Sequence, residues 1–184
     1  MSDNDLHFHY VATRGEAEAI IDRFDRFWVS NCECREEGPG CTRSRADVCL
    51  FFDPAMGGTG SNFREVNREF VAGIMREVRD KRLVARPFRY EEDKARTQGI
   101  CFCCDDCCAY FRREQTHADD CDHGKYVEYT DAENCAHCAA CEEVCYFGAR
   151  KSNGNELEVD SEKCFGCALC LDVCAQNCIR MVER

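Results

Sequence analysis

Two stretches of the chain place apolar residues at helical spacing. In the first, Ala17, Ile20, Ile21, Phe24, Phe27 and Trp28 recur along one face, and Thr13 with Glu16 three positions later forms a capping box at its start. The pattern predicts a helix from Thr13 through Trp28. The second opens at Asn62, a good cap, and runs through Phe63, Val66, Phe70, Val71, Ile74, Met75 and Val78 to about Lys81, with Arg and Glu outside. Between them, residues 53–61 are a loop by glycine and proline content, and their glycines lack the lysine of a phosphate-binding loop. Leu83–Tyr90 reads as extended, with Pro87 arguing for an edge strand, and residues 91–98 form a charged loop. Residues 1–12 are polar and are expected to fray or to meet a partner. His7 and His9 receive no role there.

Toward the C-terminus the pattern shortens. Tyr126–Tyr129 reads as a strand, Asn153-Gly154 as a hairpin turn between strands near 148–152 and 156–160, and Ile179–Val182 as a closing strand. Helices are expected after Cys141 and after Cys170. The whole is an α+β chain in two parts: a mainly helical, cysteine-rich module over residues 1–124, with 112–124 as its polar linker, and a small domain over 125–184.

The small domain carries the most specific pattern. Cys135, Cys138, Cys141 and Cys145 are spaced C-x2-C-x2-C-x3-C, and Cys164, Cys167, Cys170 and Cys174 repeat that spacing at a constant offset of 29 residues. Two copies of one ligand pattern imply two copies of one site. Three thiolates two residues apart can wrap one corner of an iron-sulfur cube, while the fourth cysteine of each run goes to the other cluster. This assigns one [4Fe-4S] cluster to Cys135, Cys138, Cys141 and Cys174, and the second to Cys164, Cys167, Cys170 and Cys145. Cys178 stands where the repeat has Ala149 and reads as a small core residue.

At these residues the chain resembles the bacterial-type two-[4Fe-4S] ferredoxin domain, over about residues 125–184. Asp131-Ala-Glu133-Asn-Cys135 matches Asp160-Ser-Glu162-Lys-Cys164 at the same offset. The proline that usually follows the fourth cysteine is replaced by Tyr146 and Ala175, which removes no ligand. The resemblance implies low-potential electron transfer through two clusters with no bound organic cofactor.

The first module holds two further groups of thiols. Cys32, Cys34, Cys41 and Cys49 lie within 18 residues, with Arg35 placed to offset negative charge. Cys32 and Cys34 would point the same way along an extended segment, and Gly38 and Gly40 let Cys41 curl back to them. Cys101, Cys103, Cys104, Cys107 and Cys108 put five thiols in eight residues. A helix over 104–113 would set Cys104, Cys107 and Cys108 on one face. Some subset of these nine is expected to hold an additional iron-sulfur cluster, the alternatives being zinc or a redox-sensing set of thiols. Cys121 and His123 are left out of the set. The Cys-x-Cys-Arg run followed by a cysteine-dense run is similar to ferredoxin-domain proteins of anaerobes. The adjacent thiols resemble the Cys-Cys motifs of heterodisulfide-reductase subunits, with Asp105 where those have glycine.

Composition sets the surroundings. The chain has 19 cysteines in 184 residues, a density that means either a secreted disulfide scaffold or a metal protein. Residues 1–10 carry acids and histidines and no apolar run, and no stretch approaches a membrane span. The expectation is a cytoplasmic protein of an anaerobic setting, where thiols persist as ligands. The formal charge of -11 argues against nucleic acid and for a redox partner with a basic docking patch, or membership of a larger redox complex. Three functions follow: an electron carrier or input subunit, an iron-sulfur reductase of a disulfide, sulfur or small oxidised substrate, or a zinc-stabilised docking module carrying a ferredoxin. Neither part holds enough large apolar residues to be very stable without metal.

Overall fold

The apolar stripe that begins at Thr13 stops being a helix sooner than its spacing predicts. In the computed structural model, which describes residues 6–38, 40–112, 121–154 and 156–184, helix α1 covers Arg14–Ile21 and keeps the capping box of Thr13 and Glu16. Phe27 and Trp28 belong instead to strand β2, Phe27–Ser30, all four residues of which are buried. Helix and strand periods coincide over a few residues, and a Phe-Trp-Val run favours the strand. The second helix starts later than expected. Asn67, not Asn62, caps it by accepting from the Phe70 N–H at 2.9 Å, and α3 runs Arg68–Asp80. The residues before it form strand β4, Arg64–Val66, which pairs Val66 with Phe27.

A seven-stranded sheet organises this part of the chain, in place of the mainly helical module that was expected. Its other strands are β1 (His9–Tyr10), β3 (Cys49–Phe51), β5 (Val84–Arg89), β6 (Thr97–Cys103) and β7 (Cys121–Asp122), in the order β4-β2-β3-β6-β5-β1-β7. All neighbours are antiparallel except β1 and β7. His9 and Tyr10 are therefore sheet residues and not a frayed end. The expected linker is partly sheet too, at Cys121–Asp122; residues 113–120 lie outside the described residues. Pro87 sits in an interior strand. Arg89 donates to Phe8 O and Ala85 accepts from Ala12 N, so Pro87, two residues from each, turns its missing donor toward the two-residue β1, where the ladder is interrupted.

Register decides what each face of the sheet carries. Leu50 lies opposite Ile100 and Val29, and Ala85 opposite Phe102. Those side chains bury against Ile20, Ile74 and Val78 of the two helices. This is a sizeable apolar core, richer than composition suggested, and each large side chain in it is worth about 1.5–3 kcal/mol. The opposite face carries Trp28, Cys49, Phe51, Phe88 and Cys101.

The C-terminal part contains two antiparallel strand pairs, only one of them a hairpin. Strand β8 (Tyr126–Thr130) pairs with β11 (Ile179–Glu183), and β9 (Arg150–Ser152) with β10 (Leu157–Val159). Single-turn helices α2 (Glu33–Glu36) and α4 (Ala109–Arg112) flank the thiols of the first part, and α5 (Leu169–Val173) lies inside the second cysteine run, carrying Cys170 and ending at Cys174. Turns, not a helix, follow Cys141. Val84, Cys103, Cys108 and Tyr110 share one buried cluster with Val144, Phe147, Phe165 and Leu169, so the two parts meet across apolar side chains. Among the described residues no helix is long and apolar enough to cross a membrane.

Candidate metal centres

Strand alternation gathers the first group of thiols. The register Val84↔Cys103 and Arg86↔Cys101 puts both cysteines and Arg86 on the face away from the helices. Cys49 joins them from β3. Cys32 and Cys34 arrive from the N-cap and first turn of α2, not from an extended segment. Cys108 precedes α4. These six thiols line one cavity of about 400 Å³, together with His9, Arg86, Phe8, Phe88 and Tyr110.

Neighbouring thiols form an unbroken run in which Cys49 meets Cys101 and Cys32, Cys34 meets Cys32 and Cys108, and Cys108 meets Cys103. Cys34 is held down to about 2, first by Cys108 and then by Cys32. Cys103 is lowered to about 7 by Cys108 and Arg86 against burial. Cys32 is pushed up chiefly by Cys34 and Cys49, Cys49 by Cys101 against Cys32, and Cys108 by Cys103 and Cys34. A soft cation in place of the thiol protons would remove the penalty of crowded thiolates here.

Two side chains at this cavity carried no sequence signal. Arg86 is 5% exposed, lies 3.9 Å from Cys103 Sγ, stacks over Tyr110 at 3.6 Å, and leaves its Nε without a partner. A buried guanidinium needs an anion beside it. His9 is driven down to about 3 by burial, then by Arg86, so it faces the thiols as a neutral imidazole.

The remaining three of the nine candidates form a separate group. Cys41 Sγ lies 3.7 Å from Cys104 Sγ, and Cys104 Sγ lies 3.6 Å from Cys107 Sγ. All three sulfurs fall within 4.8 Å of one another. The expected helix over 104–113 is shortened to α4, so Cys104 and Cys107 sit on a turn while Cys108 looks into the cavity. Arg35, 6% exposed, reaches Cys107, donates to Phe102 O at 3.1 Å and to Arg45 O, and leaves its Nε unpartnered.

The C-terminal thiols come together as two sets. Cys135, Cys138, Cys141 and Cys174 line one small cavity, joined by Cys178, whose Sγ is 3.5 Å from that of Cys174. Cys178 therefore stands at this site rather than apart from it. Cys145, Cys164, Cys167 and Cys170 surround one another: burial pushes Cys170 up to about 12, and Cys164 and Cys145 push the same way against Arg150, while Cys167 is raised by burial and by the other three. Arg150, 2% exposed, donates to Cys141 Sγ at 3.3 Å, to Thr130 Oγ1 at 2.9 Å and to Glu128. It also feels Cys170, so one guanidinium serves both sets. None of the 19 cysteines is in a disulfide. Cys121, left out of the candidates, is buried beside Arg86 and Tyr110. His123 stacks on Phe165 at 4.0 Å.

No family model matches the chain, and no curated protein or solved structure matches it significantly.

Proposed function

We propose that the chain is an iron-sulfur electron-transfer protein. In this reading residues 125–184 are a two-cluster domain of the ferredoxin type, with one [4Fe-4S] cluster held by Cys135, Cys138, Cys141 and Cys174 and another by Cys164, Cys167, Cys170 and Cys145. A further iron-sulfur cluster takes ligands from Cys32, Cys34, Cys49, Cys101, Cys103 and Cys108. Such clusters, when bound, supply one-electron transfer at low potential.

The observation that carries the reading is the linear adjacency of the three groups. Cys170 of the second set packs in the same cluster as Cys135, Cys141 and Cys174. On its other side, Cys167 packs with Phe147, Phe165 and Tyr110 against Cys103 and Cys108 of the cavity. Phe147 and Phe165 stack at 4.4 Å, and Tyr110 meets Phe147 edge-on at 6.4 Å. These side chains exclude water between the groups, and Arg86 and Arg150 supply buried positive charge that offsets the thiolates.

Iron and sulfide content of anaerobically purified protein tests this. About 12 iron atoms per chain supports three clusters, about 8 restricts the reading to the C-terminal pair, and fewer than about 4 rejects it.

A second reading, a reductase acting at the cavity, is favoured by one feature. Six thiols face the cavity where a cube uses four, and Phe8, Phe88 and Tyr110 give it walls against which an apolar substrate could lie. An EPR signal of the reduced protein that changes on adding a small disulfide supports this reading; an unchanged signal leaves the carrier.

A further inference from the structure

The nine thiols expected to share one centre in the first part of the chain divide by geometry. Three metal–sulfur bonds of about 2.3 Å around one tetrahedral zinc set the sulfurs about 3.8 Å apart. Cys41, Cys104 and Cys107 meet that spacing at 3.7 and 3.6 Å. Among the described residues no other three Cys, His, Asp or Glu side chains bring their ligand atoms within 4.8 Å of one another. Thiols around a multi-iron cluster stand farther apart because several metal atoms lie between them, and neither the cavity thiols nor either C-terminal set brings three sulfurs together in this way. The turn at 104–107 is also tied to the segment at 41–43 by ordinary bonds. Asp106 accepts from Thr42 N at 2.8 Å and from Thr42 Oγ1 at 3.3 Å, and Arg43 pairs with Asp105 at 2.8 Å.

We propose that Cys41, Cys104 and Cys107 bind a single thiophilic divalent cation of the zinc class, separate from every iron-sulfur cluster. Three thiolates and one divalent cation leave one negative charge, and the buried guanidinium of Arg35, which reaches Cys107 with its Nε unpartnered, offsets it. Cys41 is half-buried, so the fourth position lies on the solvent side, where a water or the Asp106 carboxylate beside Cys41 completes the tetrahedron. The ion staples residue 41 to a turn 63 residues later. Zinc and iron, posed as alternatives by composition, become neighbours.

The test uses the full chain purified anaerobically, with zinc and iron counted separately, so that absence of iron rejects the electron-transfer reading without touching this one. The expected result is one zinc per chain, with X-ray absorption at the zinc edge showing three sulfurs at about 2.3 Å and one lighter ligand. Cys107→Ser and the more accessible Cys41→Ser should each lose the zinc and keep the iron. A chain without zinc, a zinc ringed by four sulfurs, or variants that keep zinc and lose iron would overturn the proposal. Should a variant shed both metals, the sulfur count at the zinc edge of the unsubstituted chain decides: three upholds the site and any other number rejects it.

Discussion

Residues 135–174 gather eight thiols with loops of two or three residues, whereas the thiols of residues 32–108 reach one another across a seven-stranded sheet. The two parts also differ in what lies beneath the thiols. Below the first part is an ordinary core, with Leu50, Ile74, Ile100 and Phe102 almost wholly buried between sheet and helices. In the second, the cluster around the first cysteine set is Cys141, Cys178 and Ile179, with Cys135, Cys170 and Cys174 packed on it. Around that set, among the described residues, the candidate ligands pack beyond Ile179 with only Leu157, Leu171 and Val173, while Val144, Phe147, Phe165 and Leu169 face the first part. With metal bound as proposed, a domain of that size with thiols at its centre is expected to depend on it to fold, while a sheet with its own core positions ligands whether or not metal is present.

The largest test of this difference is removal of metal. Chelation under reducing, anaerobic conditions should cost the C-terminal part on the order of 10 kcal/mol, as loss of structural metal does in small metal-dependent domains. Hydrogen exchange should then show β8 to β11 unprotected while β2, β3, β5 and β6 stay slow. Equal loss in both parts would erase the distinction. Next comes Arg150→Ala, which leaves Glu128 buried without its counter-charge, held among the described residues only by Thr130, and Cys141 without its donor. We expect about 3–5 kcal/mol of lost stability, read from denaturant midpoints, with iron released from both C-terminal sets before the sheet melts.

Ile74→Ala probes the other side. It should remove about 2–5 kcal/mol from the sheet and its helices and leave the iron count unchanged, since Ile74 lies on the face away from the six cavity thiols, in the core that Cys104 and Cys107 join. Iron loss in that variant would mean that the sheet core and the centres are not separable. The smallest effect is expected from Asn67→Ala, which removes the side-chain cap of α3 and should cost about 1 kcal/mol. Thermal unfolding of the two variants should rank them in that order.

Several elements were legible residue by residue. The capping box at Thr13, the body of α3, the extended Leu83–Tyr90 and the Asn153-Gly154 turn are local features, and each stands where its sequence puts it, to within a few residues. The crossed grouping of Cys145 with the second run and Cys174 with the first was readable because short spacings restrict which sulfurs can meet. Other features lay beyond local reading. Phe27 and Trp28 satisfied a helical period by coincidence, and only pairing with β3 and β4 made them a strand. Asn62 and Asn67 are equally good caps, and the choice fell to Val66 pairing with Phe27. Pro87 entered an interior strand because the neighbour it faces is two residues long.

Local chemistry thus settled that this chain carries paired runs of closely spaced cysteines and an α+β pattern, since spacing, capping and turn preference act over a handful of residues. The division of the first nine thiols into a run of six and a group of three, and the placing of Arg86, Arg150 and His9 among them, came from strand register and from which face of the sheet the helices cover. Those depend on pairings between residues dozens of positions apart, where burial of the whole core, and not any neighbour in sequence, selects the partner.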